Sequence, residues 1–412
     1  MSRMSNNKKG FRILPKQKGY TVLILLTMLV AAAFLALMAV VDAFPAGLAT
    51  GLMIAILIAL VVECILFNRK RKGLRILGVV ISAFFIAVYG MGIYYLATSF
   101  SALSDITTGE NVTSAENAVD VTEDSFNVYI SGIDQYTEEQ GYDLERSDVN
   151  MIVTVCPKTR KILLTSIPRD TYVKLHTAGK MDKLTHTGVY GVDETLNTVE
   201  DWLDVDLNYY VKMNFTACVR LVDAIGGIDL YNPVEFKSAL TQHVYPEGDI
   251  HLKGKGALFY ARERKAFEGK DSLRVENQQR VVKAVLNKLM TSSALLTNYG
   301  DVLGAVKSGL ELNMSQDDIS ALVKMQLADM SEWDIETQKL EGEYDMDYVA
   351  SLTQDSKFLV YKPESSSVES IKQNIDKVMN PSEEELAEAK LNMQKNSLMS
   401  FIKSIIGSIK KK

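Results

Sequence analysis

The sequence predicts an α/β domain, a central mixed β-sheet flanked by helices, preceded by three transmembrane helices. Three observations predict it. Apolar segments at 20–44, 47–67 and 73–96 each approach or exceed the roughly 20 residues that span a bilayer. From residue 126 onward, short runs with period-two apolar spacing alternate with stretches of helical periodicity. Two of those runs, "DVNMIVTV" and "KILLTSI", are separated only by "CPKTR", a turn signal that makes them a hairpin.

The elements follow in chain order. The first span is too long for a signal peptide and lacks a clear small-residue cleavage site. The tail at 1–19 carries Arg3, Lys8, Lys9, Arg12, Lys16 and Lys18 and no acid. The loop at 68–75, "NRKRKGLR", is equally basic, whereas "DAFPAG" between the first two spans holds only Asp42. The positive-inside rule therefore places tail and basic loop in the cytoplasm and everything after the third span outside. Residues 1–75 hold 11 of 45 basic residues and 2 of 51 acidic ones, so the rest is acidic by 15 charges. That balance excludes a transcription factor and any nucleic-acid partner: the cytoplasmic pieces are too short for a helix-turn-helix, and the large domain is acidic. Glu63, inside the second span, is expected to snorkel toward or pair with the adjacent basic run. The expected domain plan is a 1–19 tail, spans within 20–97, an acidic linker at 98–124, a catalytic domain at 125–380 and an amphipathic basic tail at 381–412, which could lie on a membrane surface.

In the outer domain "FNVYISGID" reads as a strand ending near Asp134, followed by the hairpin. Helices are expected at 191–203, 216–225, 254–261, 273–290, 295–308, 315–330 and 365–379. Further strands are expected at "LNYYVKM", "GIDLYN", 334–340 and 357–361. Cys156 and Cys218 sit in apolar patterns and could pair, but buried free thiols are the preferred reading.

The hairpin turn fixes a register in which paired residue numbers sum to about 317. Asp148 then lies opposite Arg169, and Asp134 ends the neighbouring strand at the same edge. A second cluster, "YARERKAFEGKDSLRVENQQRVV", offers Arg262 and Arg264, which share a face if extended, and Arg274 and Gln278, which share a helix face. These are either forked donors for phosphate oxygens or a solvated ladder paired with Glu263, Glu268, Asp271 and Glu276. Carboxylates beside arginines suit Mg²⁺ and phosphate, because Mg²⁺ takes one or two carboxylates plus phosphate oxygens and water. No nucleotide-binding loop, zinc spacing or nucleophile elbow occurs. The small and aliphatic residues of 216–225 and 281–290 suit either ordinary core packing or a slot left between helix and sheet.

"SGID", "RSDVNMIVTV", "ILLTSIPRDTYV", "DKLTHTGVYG", "FTACVRLVDAIGGIDL" and "ALFYARERK…DSLR…NQQRVV" occur in this order. Together they resemble the LytR–CpsA–Psr family, in particular its CpsA-type capsule members with several membrane spans. The "KLTH" segment departs from the more common "KIN" form. The resemblance implies a cell-membrane enzyme of the Gram-positive surface. Such an enzyme moves a glycopolymer, capsular or teichoic-acid-like, from a polyprenyl-pyrophosphate carrier to peptidoglycan with Mg²⁺, alongside other capsule-assembly proteins. It implies metal positions at Asp134 and Asp148 and phosphate-binding arginines at Arg169, Arg262, Arg264 and Arg274, with Gln278 beside them. Arg146, Asp170, Lys183 and Asp271 match further charged positions of the family's site. Two alternatives stay open from sequence: a pyrophosphatase of the same lipid, and a non-enzymatic membrane regulator of polymer length or export.

Overall fold

The computed structural model describes residues 18–42, 44–106, 119–133, 146–266, 271–291, 299–306, 309–352, 356–393 and 395. The chain divides into two compact units, Met1–Phe100 and Ser101–Lys412. The first contains α1 (Lys18–Val41), α2 (Ala46–Asn68) and most of α3 (Lys72–Ile106). Their apolar stretches, of 24, 23 and 30 residues, are long enough to cross a membrane. α1 and α3 approach closely where Gly92 faces Phe34, since a Cβ there would lie 2.5 Å from the ring. Small residues permit such contacts between apolar helices. Glu63 departs from expectation. It is 0% exposed, beside Thr27 of α1 and Ser82 of α3, because its position on α2 faces the other helices rather than the basic loop.

The second unit is built on a six-stranded sheet of β1 (Phe126–Ile133), β2 (Ser147–Cys156), β3 (Lys161–Ile167), β4 (Tyr209–Asn214), β5 (Leu310–Leu312) and β6 (Asp334–Lys339). Their order is β5-β4-β1-β2-β3-β6. β4 runs parallel to β1 and β6 parallel to β3, while β2 is antiparallel to both its neighbours and β5 to β4. β1, β3, β4 and β6 therefore end at one edge of the sheet. Pairing from Asn150 with Ile167 to Cys156 with Lys161 gives the residue sum that the turn predicts.

Period-two alternation assigns the two faces. Tyr129, Ile152, Cys156, Leu163, Ile167 and Tyr210 pack under α4 (Val192–Leu203) and α9 (Ser365–Met379). Phe126, Met151, Val153, Ile162 and Leu164 pack under α7 (Asp271–Thr291) and α8 (Gln316–Asp329). α5 (Phe215–Ala224) starts directly from β4, its first turn capped by Asn214, whose side chain accepts from Ala217 N at 2.8 Å. α6 (Gly254–Arg262) begins against α5 so closely that a Cβ on Gly254 would collide with the Val219 carbonyl.

Two departures from expectation concern this unit. The expected strand at Ile228–Asn232 lies apart from the main sheet and pairs with Gly248–Leu252, a strand not expected from the sequence. Ribbons at Tyr172–Lys174 with Met181–Lys183, and at Gly342–Asp347 with Phe358–Pro363, supply three strands that the sequence reading omits. Of the two readings for 216–225 and 281–290, core packing holds: Val222, Val281 and Ala284 share one buried cluster with Leu252, Ala257 and Tyr260. Small aliphatic residues suit a packed core as well as a groove, and here they pack. Cys156 is buried, Cys218 is partly so, and both are free thiols. The expected tail helix beyond residue 396 lies outside the described residues.

Candidate active site

The edge where four parallel strands end is where an open α/β sheet builds sites. At Pro168 the chain leaves β3 in a tight turn. Thr171 N donates to Pro168 O at 3.1 Å, Thr185 N to Arg169 O at 2.9 Å, and Tyr361 N to Asp170 O at 2.8 Å. Thr185 Oγ1 also donates to Ser147 O at 2.9 Å, tying the turn to the start of β2. The backbone of 168–171 is thus fixed from both sides, independently of the side chains it presents.

Those side chains form a chain of charges. Arg169 Nη1 donates to Asp148 Oδ1 at 2.5 Å, and Arg169 Nε lies 3.5 Å from Asp170 Oδ2. Lys183 Nζ donates to Asp170 Oδ1 at 3.0 Å. Arg169 Nε is buried against Asp170, its contact with that carboxylate too long for a good hydrogen bond. Burial works against the Arg169 charge, but the Asp148 hydrogen bond and the Asp170 and Asp148 charges outweigh it and hold the guanidinium above its ordinary value. The guanidinium is held in place while a third of its side chain stays exposed at the sheet edge, an arrangement able to receive an anion.

The second cluster reaches the same edge by another route. α7 descends along β6: Glu276 meets Lys339 at 3.1 Å, Gln279 donates to Gln338 O at 2.6 Å, and Lys283 donates to Ile335 O at 2.5 Å. Its first turns, with Arg274 and Gln278, therefore stand where β3 and β6 end. Arg262 closes α6 rather than lying in extended chain, because the helical pattern runs one residue further than the sequence suggests. Its guanidinium sits 4.4 Å from the centroid of Phe215, just past the end of β4. Arg264 is exposed beyond it. Glu263, between them, is not a ladder partner. It is 0% exposed, and Oε1 accepts the amides of Arg264, Lys265 and Ala266 at 3.0, 2.9 and 3.1 Å. Its Oε2 accepts Ala239 N at 2.9 Å. We expect Glu263→Ala to leave these amides unsatisfied and cost about 2–4 kcal/mol. A melting temperature unchanged from wild type would contradict that role.

Arg146 is exposed, one residue before β2. Asp134 and the Asp271 side chain lie outside the described residues; Ile133, just before Asp134, pairs with Ser147. Sequence reasoning missed Asp182, which is 0% exposed. Its Oδ1 meets His186 Nδ1 at 2.6 Å, and its Oδ2 accepts Ser351 N at 2.7 Å. Ser351 Oγ lies 2.8 Å from the same His186 nitrogen. Asp and Ser share one ring nitrogen, so this is no proton relay; it is a clamp below Lys183. The four-residue spacing in "DKLTH" was the available signal. Burial raises the Asp182 carboxyl, but His186, the Lys183 amide and the Ser351 hydroxyl and amide outweigh it and hold it low. A carboxyl lowered by folding stabilises the fold above its unfolded value of about 3.9, and that contribution is lost as pH falls through the lower folded value. We expect Asp182→Asn to destabilise the chain at pH 7 and the deficit to shrink below about pH 4. Melting curves with equal deficits at both pH values would contradict it.

A model of the LytR_cpsA_psr family matches residues 92–377, well over half the chain. The chain belongs to this family. Among relatives, the polyisoprenyl-teichoic acid–peptidoglycan teichoic acid transferase TagU of Bacillus cereus (strain AH820) is 39% identical over 188 residues, 45% of this chain and 61% of that protein. TagU of Bacillus licheniformis is 32% identical over 258 residues, 61% of this chain and 82% of that protein. The chain thus spans about three fifths of the first relative's length and more of the second. A solved structure of TagT bound to LIIa-WTA matches with a TM-score of 0.51 at 28% identity, covering 66% of this chain and 97% of that one. The mixed sheet flanked by helices is thus the fold of the LytR_cpsA_psr family.

Proposed function

We propose that this LytR_cpsA_psr protein is a membrane-anchored phosphotransferase. It moves a glycopolymer, capsular or teichoic-acid-like, from a polyprenyl-pyrophosphate carrier to peptidoglycan. The observation that carries the reading is Arg169: fixed by Asp148 and Asp170, with a third of its side chain exposed at the carboxyl edge of the sheet. The names of the TagU relatives support the substrate class.

In this reading an acceptor hydroxyl attacks the phosphorus next to the sugar, the bond to the bridging oxygen breaks, and polyprenyl phosphate leaves. Arg169, Arg262, Arg264 and Arg274 hold phosphate oxygens as charge shifts to the leaving group; Gln278 and Arg146 extend that contact. Asp170 and Lys183 orient Arg169 from behind. Asp148 fits Mg²⁺ by its chemistry, a hard carboxylate only partly taken up by Arg169, with Asp134 as second ligand. The chemistry a bound Mg²⁺ supplies is neutralisation of diphosphate charge. The spans hold the domain beside its lipid donor on the outer surface, where other capsule-assembly proteins act.

The test is product analysis with the full chain, lipid-linked glycan and Mg²⁺, with and without peptidoglycan. Transfer requires peptidoglycan and yields glycan covalently attached to it. Equal carrier cleavage without peptidoglycan identifies a hydrolase instead, and no cleavage in either arm identifies a non-enzymatic binder.

A further inference from the structure

One row behind the Asp148–Arg169 pair lies a buried amide with a donor that nothing in the protein uses. Asn150 is 2% exposed. It stands two residues from Asp148 on β2, just past the irregularity at which Asp148 drops out of the pairing with β1. Across the ladder its neighbours are Ser131 of β1 and Ile167 of β3, and Ile167 is two residues from Arg169. The Tyr129 hydroxyl donates to Asn150 Oδ1 at 2.7 Å. Burial pushes the Tyr129 phenol up, so it keeps its proton and remains a donor. In this orientation of the amide, Nδ2 is left without a hydrogen-bond partner. Tyr129 and Ser131 also line a narrow cleft between the sheet and α4, together with Val192 and Thr195. Native cores leave few buried donors unsatisfied, and those that persist need a reason.

We infer that Asn150 is a further substrate-contacting residue, its Nδ2 donating to an oxygen of the diphosphate held by Arg169. Asn150 takes this part only if Arg169 binds a diphosphate, as proposed above. Tyr129, which lines that cleft, is then the positioning residue that keeps Nδ2 turned toward the ligand.

The test uses the full chain in detergent with geranyl pyrophosphate and geranyl phosphate as probes, reading affinity by calorimetry together with melting temperature. Asn150→Leu combined with Tyr129→Phe keeps the branched shape at 150 and removes both the orphan and its partner. If Nδ2 serves the ligand, this variant keeps or gains melting temperature. It loses about tenfold or more in affinity for geranyl pyrophosphate, and less for the monophosphate. Affinity within about twofold of wild type makes Asn150 a packing residue and overturns the inference. Should that variant not fold, Asn150→Asp reports instead: a carboxylate there repels the diphosphate, so unchanged binding overturns the inference equally. Arg169→Ala separates the two readings. Wild-type binding that is lost with Arg169→Ala but kept by the Asn150 variants overturns the role of Asn150 alone. A wild-type chain with no affinity for either probe overturns both.

Discussion

Arg169→Ala should lower transfer activity by about 10²–10³ while the fold survives. The backbone of residues 168–171 is held by Thr185, Tyr361 and its own turn, none of which uses the Arg169 side chain. Asp148 loses its partner but is 23% exposed at the side chain, so water can take the place of the guanidinium. What is lost is a cation fixed against an anionic transition state, and each charge-assisted hydrogen bond there is worth about 1.5–3 kcal/mol. Arg262→Ala, Arg264→Ala and Arg274→Ala should follow in the same direction. Arg262→Ala should also lower the melting temperature slightly, because its guanidinium covers Phe215. Purified variants with native circular dichroism and full activity would remove the phosphate site from this edge.

Asp134→Ala and Asp148→Ala should each abolish Mg²⁺-dependent turnover, and the double variant should be no worse than either. Two ligands of one ion fail together, so their effects do not add. Asp148→Asn sharpens the point. It keeps the shape and a hydrogen bond to Arg169 but removes the charge, so the Mg²⁺ concentration for half activity should rise about tenfold or more. A double variant whose loss equals the sum of two partial losses would argue against a shared ion. The response of Asp148→Asn to added Mg²⁺ separates lost metal affinity from lost orientation of Arg169.

Much of this edge was legible in the sequence. The four-residue turn at "PKTR" fixes the hairpin register, because side-chain direction alternates with period two and a one-residue slip would turn the core face to solvent. That alone sets Asp148 against Arg169, a contact the structure places at 2.5 Å. Helix α9 was equally readable, since Ile371, Ile375 and Val378 repeat at helical spacing. The ribbon at Gly342–Asp347 was not. Its residues are mostly exposed, so no apolar alternation marks it, and backbone pairing with Phe358–Pro363 holds it instead. The ribbon of Tyr172–Lys174 with Met181–Lys183 is too short for any periodicity to emerge. Glu263 illustrates a different limit. In sequence it is one acid among arginines, and only tertiary structure reveals that its carboxylate serves four backbone amides. Asn150 is hidden in the same way, as a polar residue inside an apolar run whose partner Tyr129 lies on another strand.

The most direct measurement follows the phosphorus next to the sugar. A lipid-linked glycan carrying ³²P at that position alone is incubated with the full chain, Mg²⁺ and peptidoglycan, beside an Arg169→Ala control. Attack at that phosphorus predicts label in a phosphodiester on peptidoglycan, unlabelled polyprenyl phosphate as the second product, and neither with Arg169→Ala. Label left on the lipid, or equal transfer by Arg169→Ala, would contradict a phosphoryl-transfer site at this edge of the sheet.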